Sequence, residues 1–183
     1  MSPGRGVVVW VTGLPSSGKS TLGRTVVEAL RVDGRAACLL DGDDVRGAIE
    51  PRPSYDDVGR NAFYATLAAL AAMLAHQGLA VVVAATAHRR AYRERARELS
   101  PAFVEVFVDV PLDECRRRDD KGLYDEATTG AIHALPGPQA AYEAPERPDV
   151  IARQGGVLAT IAEIVEVVRR RSACPPSTRA LGR

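Results

Sequence analysis

The chain has 183 residues, 46% of them hydrophobic, and its 24 basic and 23 acidic side chains leave a net charge of +1. That length is enough for one ordinary domain with a full sheet-and-helix core. The near-neutral balance excludes general nucleic-acid binding, which requires a pronounced basic excess.

From the N-terminus, Met1-Ser-Pro-Gly-Arg5 shows no secretory apolar region. The apolar run Val7 to Val11 reads as a buried strand, and Gly13-Leu-Pro-Ser-Ser-Gly18-Lys19-Ser20-Thr21 follows it in the pattern G-x-x-x-x-G-K-S. Leu22, Val26, Val27 and Leu30 then recur at helical spacing. Strand, glycine loop and helix form the context in which this motif, the P-loop, cradles phosphates. The glycines let backbone N–H groups turn inward, and the helix N-terminus adds partial positive charge. Lys19 is expected to reach the β/γ-phosphates and the Ser20 hydroxyl to ligate Mg²⁺. The candidate ATP-binding set is Gly13, Ser16, Ser17, Gly18, Lys19, Ser20 and Thr21.

A second apolar strand, 36–41, runs into Asp41-Gly-Asp-Asp44-Val-Arg46. Two carboxylates at a strand end facing a P-loop, Asp41 and Asp43, suit two tasks: one can hold Mg²⁺ directly or through water, and the other can take the proton of an attacking hydroxyl. Asp43 or Asp44 is also expected to cap the following short helix. Residues 50–57 form a proline-broken loop. The alanine-rich helix beyond it has Leu67 to Leu74 as its longest apolar stretch, well short of a bilayer span. No membrane partner is expected, and the expected setting is the cytoplasm.

A third strand, 79–85, ends at Thr86 and His88, and Arg89 to Arg97 read either as acceptor contacts or as a solvated charged face. His88 reads either as an acceptor contact or as a helix cap. A fourth strand covers 103–110, a fifth 148–152, and a last helix 156–172. Between them, 118–148 mixes charge, glycine and proline over a length that suits a lid, with Tyr124, Ile132 and Tyr142 as anchors. The tail 173–183 is expected to be flexible. Cys38, Cys115 and Cys174 lack metal-ligand spacing, and the first two read as core or near-core thiols. Alternation of strands and helices gives an α/β fold, a mostly parallel five-stranded sheet covered on both faces. The strand-end residues should converge at its C-terminal edge.

At this point a resemblance becomes specific. The chain resembles adenylylsulfate (APS) kinases over nearly all of residues 6–172: in Gly13 to Thr21, Leu40-Asp-Gly-Asp-x-Val-Arg46, Phe103-Val-Glu-Val-Phe-Val-Asp-Val-Pro-Leu112, Cys115-x-x-Arg-Asp-x-Lys-Gly-Leu-Tyr124 and Tyr142-Glu-x-Pro-Glu146-x-Pro148. The resemblance implies a three-layer P-loop NTPase fold of the nucleoside-kinase type in one domain, 1–172. It implies transfer of the ATP γ-phosphate to the 3′-hydroxyl of adenosine 5′-phosphosulfate, with ATP and Mg²⁺ as cofactors, and suggests a homodimer. It puts Arg118 on the nucleotide, and Asp43, Arg46, Tyr55, Arg60, Phe63, Thr86, Lys121 and Leu135 on the acceptor.

The departures from the family pattern cluster on the acceptor side. Tyr55 stands for a phenylalanine that stacks on adenine. The pattern Asp-Arg-x-x-Asn-x-Arg-Arg is met by Gly59-Arg60-Asn61-Ala62-Phe63-Tyr64-Ala65-Thr66, so Arg60 survives while an asparagine and two arginines are lost. Ile-Ser-Pro becomes Thr86-Ala87-His88, and Leu135 replaces a second adenine-stacking phenylalanine. Arg89, Arg90 and Arg93 are the expected compensation for the lost guanidiniums. Two alternatives stay open: the same chemistry on another hydroxyl compound, and an ATP-binding regulatory module without turnover.

Overall fold

A computed structural model describes residues 5–119, 122, 124, 135–137, 140–153 and 155–173. Its strands are β1 (Val7–Gly13), β2 (Ala37–Asp41), β3 (Ala80–Ala84), β4 (Phe103–Val108) and β5 (Val150–Ala152). Its helices are α1 (Lys19–Val32), α2 (Gly42–Ala48), α3 (Asp57–His76), α4 (Arg90–Leu99), α5 (Leu112–Arg117) and α6 (Val157–Ala173). The sheet is parallel throughout, in the order β2-β3-β1-β4-β5.

The valine-rich strands form because both faces of the sheet are covered, so an unbroken apolar run loses nothing by alternating sides. All seven residues of β1 are buried. Val7, Val9 and Val11 pack with α1 and α6, through Val26, Leu30, Ile164 and Val168. Val8 and Trp10 pack on the other face with α3 and α4, through Phe63, Leu67, Ala71 and Tyr92. Helix α3 is longer than its apolar stretch suggested. At 20 residues it meets a length-and-composition criterion for crossing a bilayer, yet it lays Phe63, Leu67, Ala68, Ala71 and Ala75 into the core.

A charged tie crosses that second layer. Glu105, inside β4, accepts from Arg93 Nε at 2.8 Å and from Arg97 Nη2 at 2.9 Å. A buried carboxylate is tolerable only with such partners, so Glu105 fixes where α4 sits on the sheet.

The register sets the site. Asp41 is level with Ala84, and Ala84 with Val11, while Gly13 extends two residues further beside Val108. The ends of β1, β2 and β3 therefore share one edge. β2 lies two strands from β1, about 10 Å away at ordinary strand spacing.

Candidate active site

The loop after β1 is shaped for an anion. Gly13 packs so closely that a Cβ there would lie 2.8 Å from Val108 O, and Gly18 adopts φ 96°, a left-handed conformation that favours glycine. Gly18 is also the N-cap of α1, with no side-chain cap and no acidic residue in the first turn. The leading N–H groups of a 14-residue helix, and the partial positive charge they carry, are left for a ligand. Ser20 and Thr21 lie in that first turn, and Lys19 Nζ folds back to donate to Leu14 O at 2.6 Å. The Ser17 hydroxyl is buried without a partner among the described residues.

Two strands away, Asp41 rather than Asp43 or Asp44 is the N-cap of α2: its Oδ1 accepts from Asp43 N–H at 3.0 Å. A cap must stand outside the helix, and here only Asp41 does. It keeps extended backbone (φ −77°, ψ 129°), while Asp43 and Asp44 already lie in the first helical turn. Capping occupies only half of the carboxylate. Asp41 Oδ2 is buried with no partner among the described residues, which fits an oxygen awaiting a cation. Asp43 is exposed in the first turn of α2, oriented by that same cap.

Arg46, expected to contact the acceptor, is held inside the protein. It is 4% exposed and donates from Nη1 to Pro53 O at 3.0 Å and Ser54 O at 3.1 Å. Its guanidinium lies between the rings of Tyr55, at 4.5 Å, and Phe63, at 3.8 Å. Phe63 is thus the buried floor of a ring–guanidinium–ring stack, and half-exposed Tyr55 is its outer face. The stack orders the 53–55 loop through hydrogen bonds and cation–π attraction. Arg60, from the first turn of α3, is buried at 5% exposure.

The compensating arginines are engaged elsewhere. Arg89 pairs with Asp57 at 2.8 Å, Arg90 pairs with Glu143 and Glu146, and Arg93 is buried on Glu105. Thr86, half-buried, follows β3 with its carbonyl held by Thr12 Oγ1 at 2.7 Å.

His88 is not a helix cap, since Arg89 holds that position without a side-chain bond. Burial, then the charges of Arg60 and Arg89, push the imidazole pKa down to about 4. Native His88 is therefore neutral down to that pH, whereas in the unfolded chain it takes up a proton near 6.5. Stability contributed by the neutral ring is intact above pH 6.5 and is lost as pH falls toward about 4. Urea unfolding should lose on the order of 2–3 kcal/mol more over that window in the wild-type protein than in His88→Gln. Equal pH slopes for the two proteins would refute this.

At the donor side, the residues after α5 reach the P-loop. Ser16 Oγ donates to Asp119 Oδ1 at 3.2 Å, and Tyr124 Oη donates to Pro15 O at 3.0 Å. Arg118 is ion-paired with Glu114 at 2.7 Å. Leu135 is buried in the layer containing Cys115 and Tyr124, whereas Phe63 belongs to the opposite layer. It packs there among the core residues. Lys121, Ile132, Cys174 and most of the expected lid lie outside the described residues. The sequence reading missed Thr12, Tyr64 and Asp119. Asp119 had a signal in its motif, whereas Thr12 and Tyr64 had none.

A model of the family described as adenylylsulphate kinase matches residues 5–153. The adenylyl-sulfate kinase of Aeromonas salmonicida is 40% identical over 168 residues, covering 90% of this chain and 86% of that protein. The bifunctional enzyme NodQ of Azospirillum brasilense is 40% identical over 173 residues, 91% of this chain but 28% of NodQ. Among solved structures, the Mycobacterium tuberculosis APS kinase CysC, in complex with AMPPNP and APS, superposes with a TM-score of 0.84 at 33% identity. That match covers 91% of this chain and 99% of that one.

Proposed function

The chain belongs to the adenylylsulphate kinase family, and from that premise we propose that it transfers the γ-phosphoryl group of ATP to the 3′-hydroxyl of adenosine 5′-phosphosulfate, in the cytoplasm and as a homodimer. The observation that carries this reading is the pairing of an uncapped P-loop helix with the Asp41–Asp43 carboxylates at one sheet edge.

In this reading the loop amides and the α1 N-terminus hold the triphosphate, and Lys19 leaves Leu14 O to neutralise charge on the transferred group. Mg²⁺ would be held by the Ser20 hydroxyl and Asp41 Oδ2, and would supply neutralisation of the β- and γ-oxygens. Asp43 accepts the proton of the acceptor's 3′-hydroxyl as its oxygen attacks phosphorus and ADP leaves. Arg60 faces the acceptor's anionic group, and Tyr55 offers its ring to the base. Arg118, Lys121 and residues 118–146 close over both nucleotides and exclude water, without which the enzyme becomes an ATPase. In its test, purified protein is incubated with Mg-ATP and APS and the products are resolved by anion-exchange chromatography. A product carrying both the sulfate and a new 3′-phosphate is expected; ADP with unmodified APS would refute the proposal.

The absence of the family's two arginines, at Ala65 and Thr66, favours a second reading in which the acceptor is another hydroxyl compound. Charged hydrogen bonds contribute about 1.5–3 kcal/mol each, so their loss bears on which anion the pocket holds.

A further inference from the structure

Residues 86–88, in the middle of the connection from β3 to α4, are held more tightly than a connecting loop requires. Thr86 O accepts from Thr12 Oγ1 at 2.7 Å, Ala87 O from Arg93 Nη1 at 2.5 Å, and His88 O from Glu143 N at 2.8 Å. Three consecutive carbonyls are thus taken by three different parts of the chain: β1, α4 and the segment beyond the lid. The amide of the middle residue is held too, since Ala87 N–H donates to Tyr64 Oη at 3.0 Å inside the protein.

What these bonds hold is a strained conformation. Ala87 has φ 40°, in the left-handed region that a residue with a Cβ rarely adopts, and is fully buried. A strained peptide bonded on both sides at the C-terminal edge of the sheet, where ligands bind in this class of fold, is a preorganised element. Tyr64 is itself fixed by stacking on Tyr92, with centroids 4.5 Å apart.

The same network reaches the far end of the lid. Thr12 Oγ1 lies 2.9 Å from Tyr142 Oη. Because the threonine hydroxyl has one proton and gives it to Thr86 O, Tyr142 is the donor. Arg93 Nη2 donates to Glu143 O at 2.7 Å, and Glu143 Oε2 accepts from Arg90 N at 2.7 Å.

We propose that Tyr64 and Arg93 are positioning residues for the acceptor: they hold the Thr86–His88 turn in its strained shape and key Tyr142–Glu143 to it. Neither touches the reacting atoms. This rests on the APS kinase reading above. Tyr64 lies between Phe63 and Ala65, two positions where this chain departs from the family pattern, and its hydroxyl accepts the bond that orients the Ala87 peptide.

The test is steady-state kinetics with Mg-ATP and APS on wild type, Tyr64→Phe, Arg93→Lys and the double variant Tyr64→Phe/Ala87→Gly. Tyr64→Phe keeps the ring and removes one buried bond, and should raise the KM for APS about tenfold. The KM for ATP should stay within about twofold, because the P-loop lies outside the network. Arg93→Lys keeps a charge for Glu105 but cannot span three acceptors, and should show the same split. Ala87→Gly should restore much of the APS affinity in the Tyr64→Phe background, since glycine takes positive φ without strain. An unchanged KM for APS in Tyr64→Phe, a parallel rise in both KM values, or no rescue by glycine would overturn the inference. Absence of APS turnover in the wild-type protein would instead overturn the functional reading, and this inference with it.

Discussion

Lys19→Ala should lower kcat with APS by about 10²–10³-fold, the usual loss when one preorganised charge partner of a transition state is removed. The expectation follows from where the ammonium sits. Lys19 is the first residue of α1, and its Nζ rests on Leu14 O within the loop that would surround the phosphates. Of the chain's 24 basic residues only Lys19 and Lys121 are lysines, and both fall in the motifs attributed to this site. A compact point charge on a flexible stem is what a moving phosphoryl group calls for, and a planar guanidinium does not reproduce it. Lys19→Arg is therefore expected to be nearly as impaired as Lys19→Ala. Single-turnover measurements would separate the chemical step from ATP binding, and a Lys19→Arg protein with wild-type kcat would refute the assigned role.

Asp43→Ala should cost about 10²–10⁴-fold in kcat, the range for loss of a positioned general base. Asp43 is exposed in the first turn of α2 and its N–H is anchored on Asp41, so truncation should leave the fold intact. Asp43→Asn, which keeps shape and removes basicity, should be equally slow, with the KM for ATP little changed. If either variant kept kcat within a few fold of wild type, Asp43 would not be the base. Asp41→Ala should behave differently, because it removes a helix cap as well as a cation oxygen. It should lower stability by about 1 kcal/mol in addition to slowing the reaction.

Much of this architecture can be read from the chain because its signals are local. Val7 to Val11 flanked by a glycine loop places β1 and the start of α1 within two residues. Short apolar runs place the other four strands, and the parallel sheet follows from their alternation with helices. The surroundings of Arg93, Arg46 and Leu135 were not legible for one cause: each depends on partners that its own motif does not contain. Arg93 belongs to an arginine-rich helix that reads as a charged face, and only Glu105 in a central strand explains its burial. A lone acid within Phe103-Val-Glu-Val-Phe-Val was the available hint, since a carboxylate in a buried strand requires a cation. The motif around Arg46 gives no hint that its guanidinium holds the carbonyls of Pro53 and Ser54. The motif around Leu135 gives no hint of its burial in one cluster with Tyr124 and Cys115.

The acceptor side is where local reading ends. Phe63, Tyr64, Tyr92 and His88 form a continuous run of ring contacts there, with centroid separations of 5.2, 4.5 and 5.6 Å. Within that cluster Phe63 takes the place of the family pattern's asparagine, while its two arginines give way to Ala65 and Thr66. Arg60 is the surviving cation of that pattern.

The measurement that bears most directly on the central claim is ADP release from Mg-ATP by the purified protein, run with APS and, separately, with AMP, adenosine and a panel of small alcohols. Release should depend on APS, with APS giving the highest kcat/KM of the set and little ADP formed without an acceptor. Release supported only by another hydroxyl compound, or tight ATP binding with no release under any condition, would contradict it.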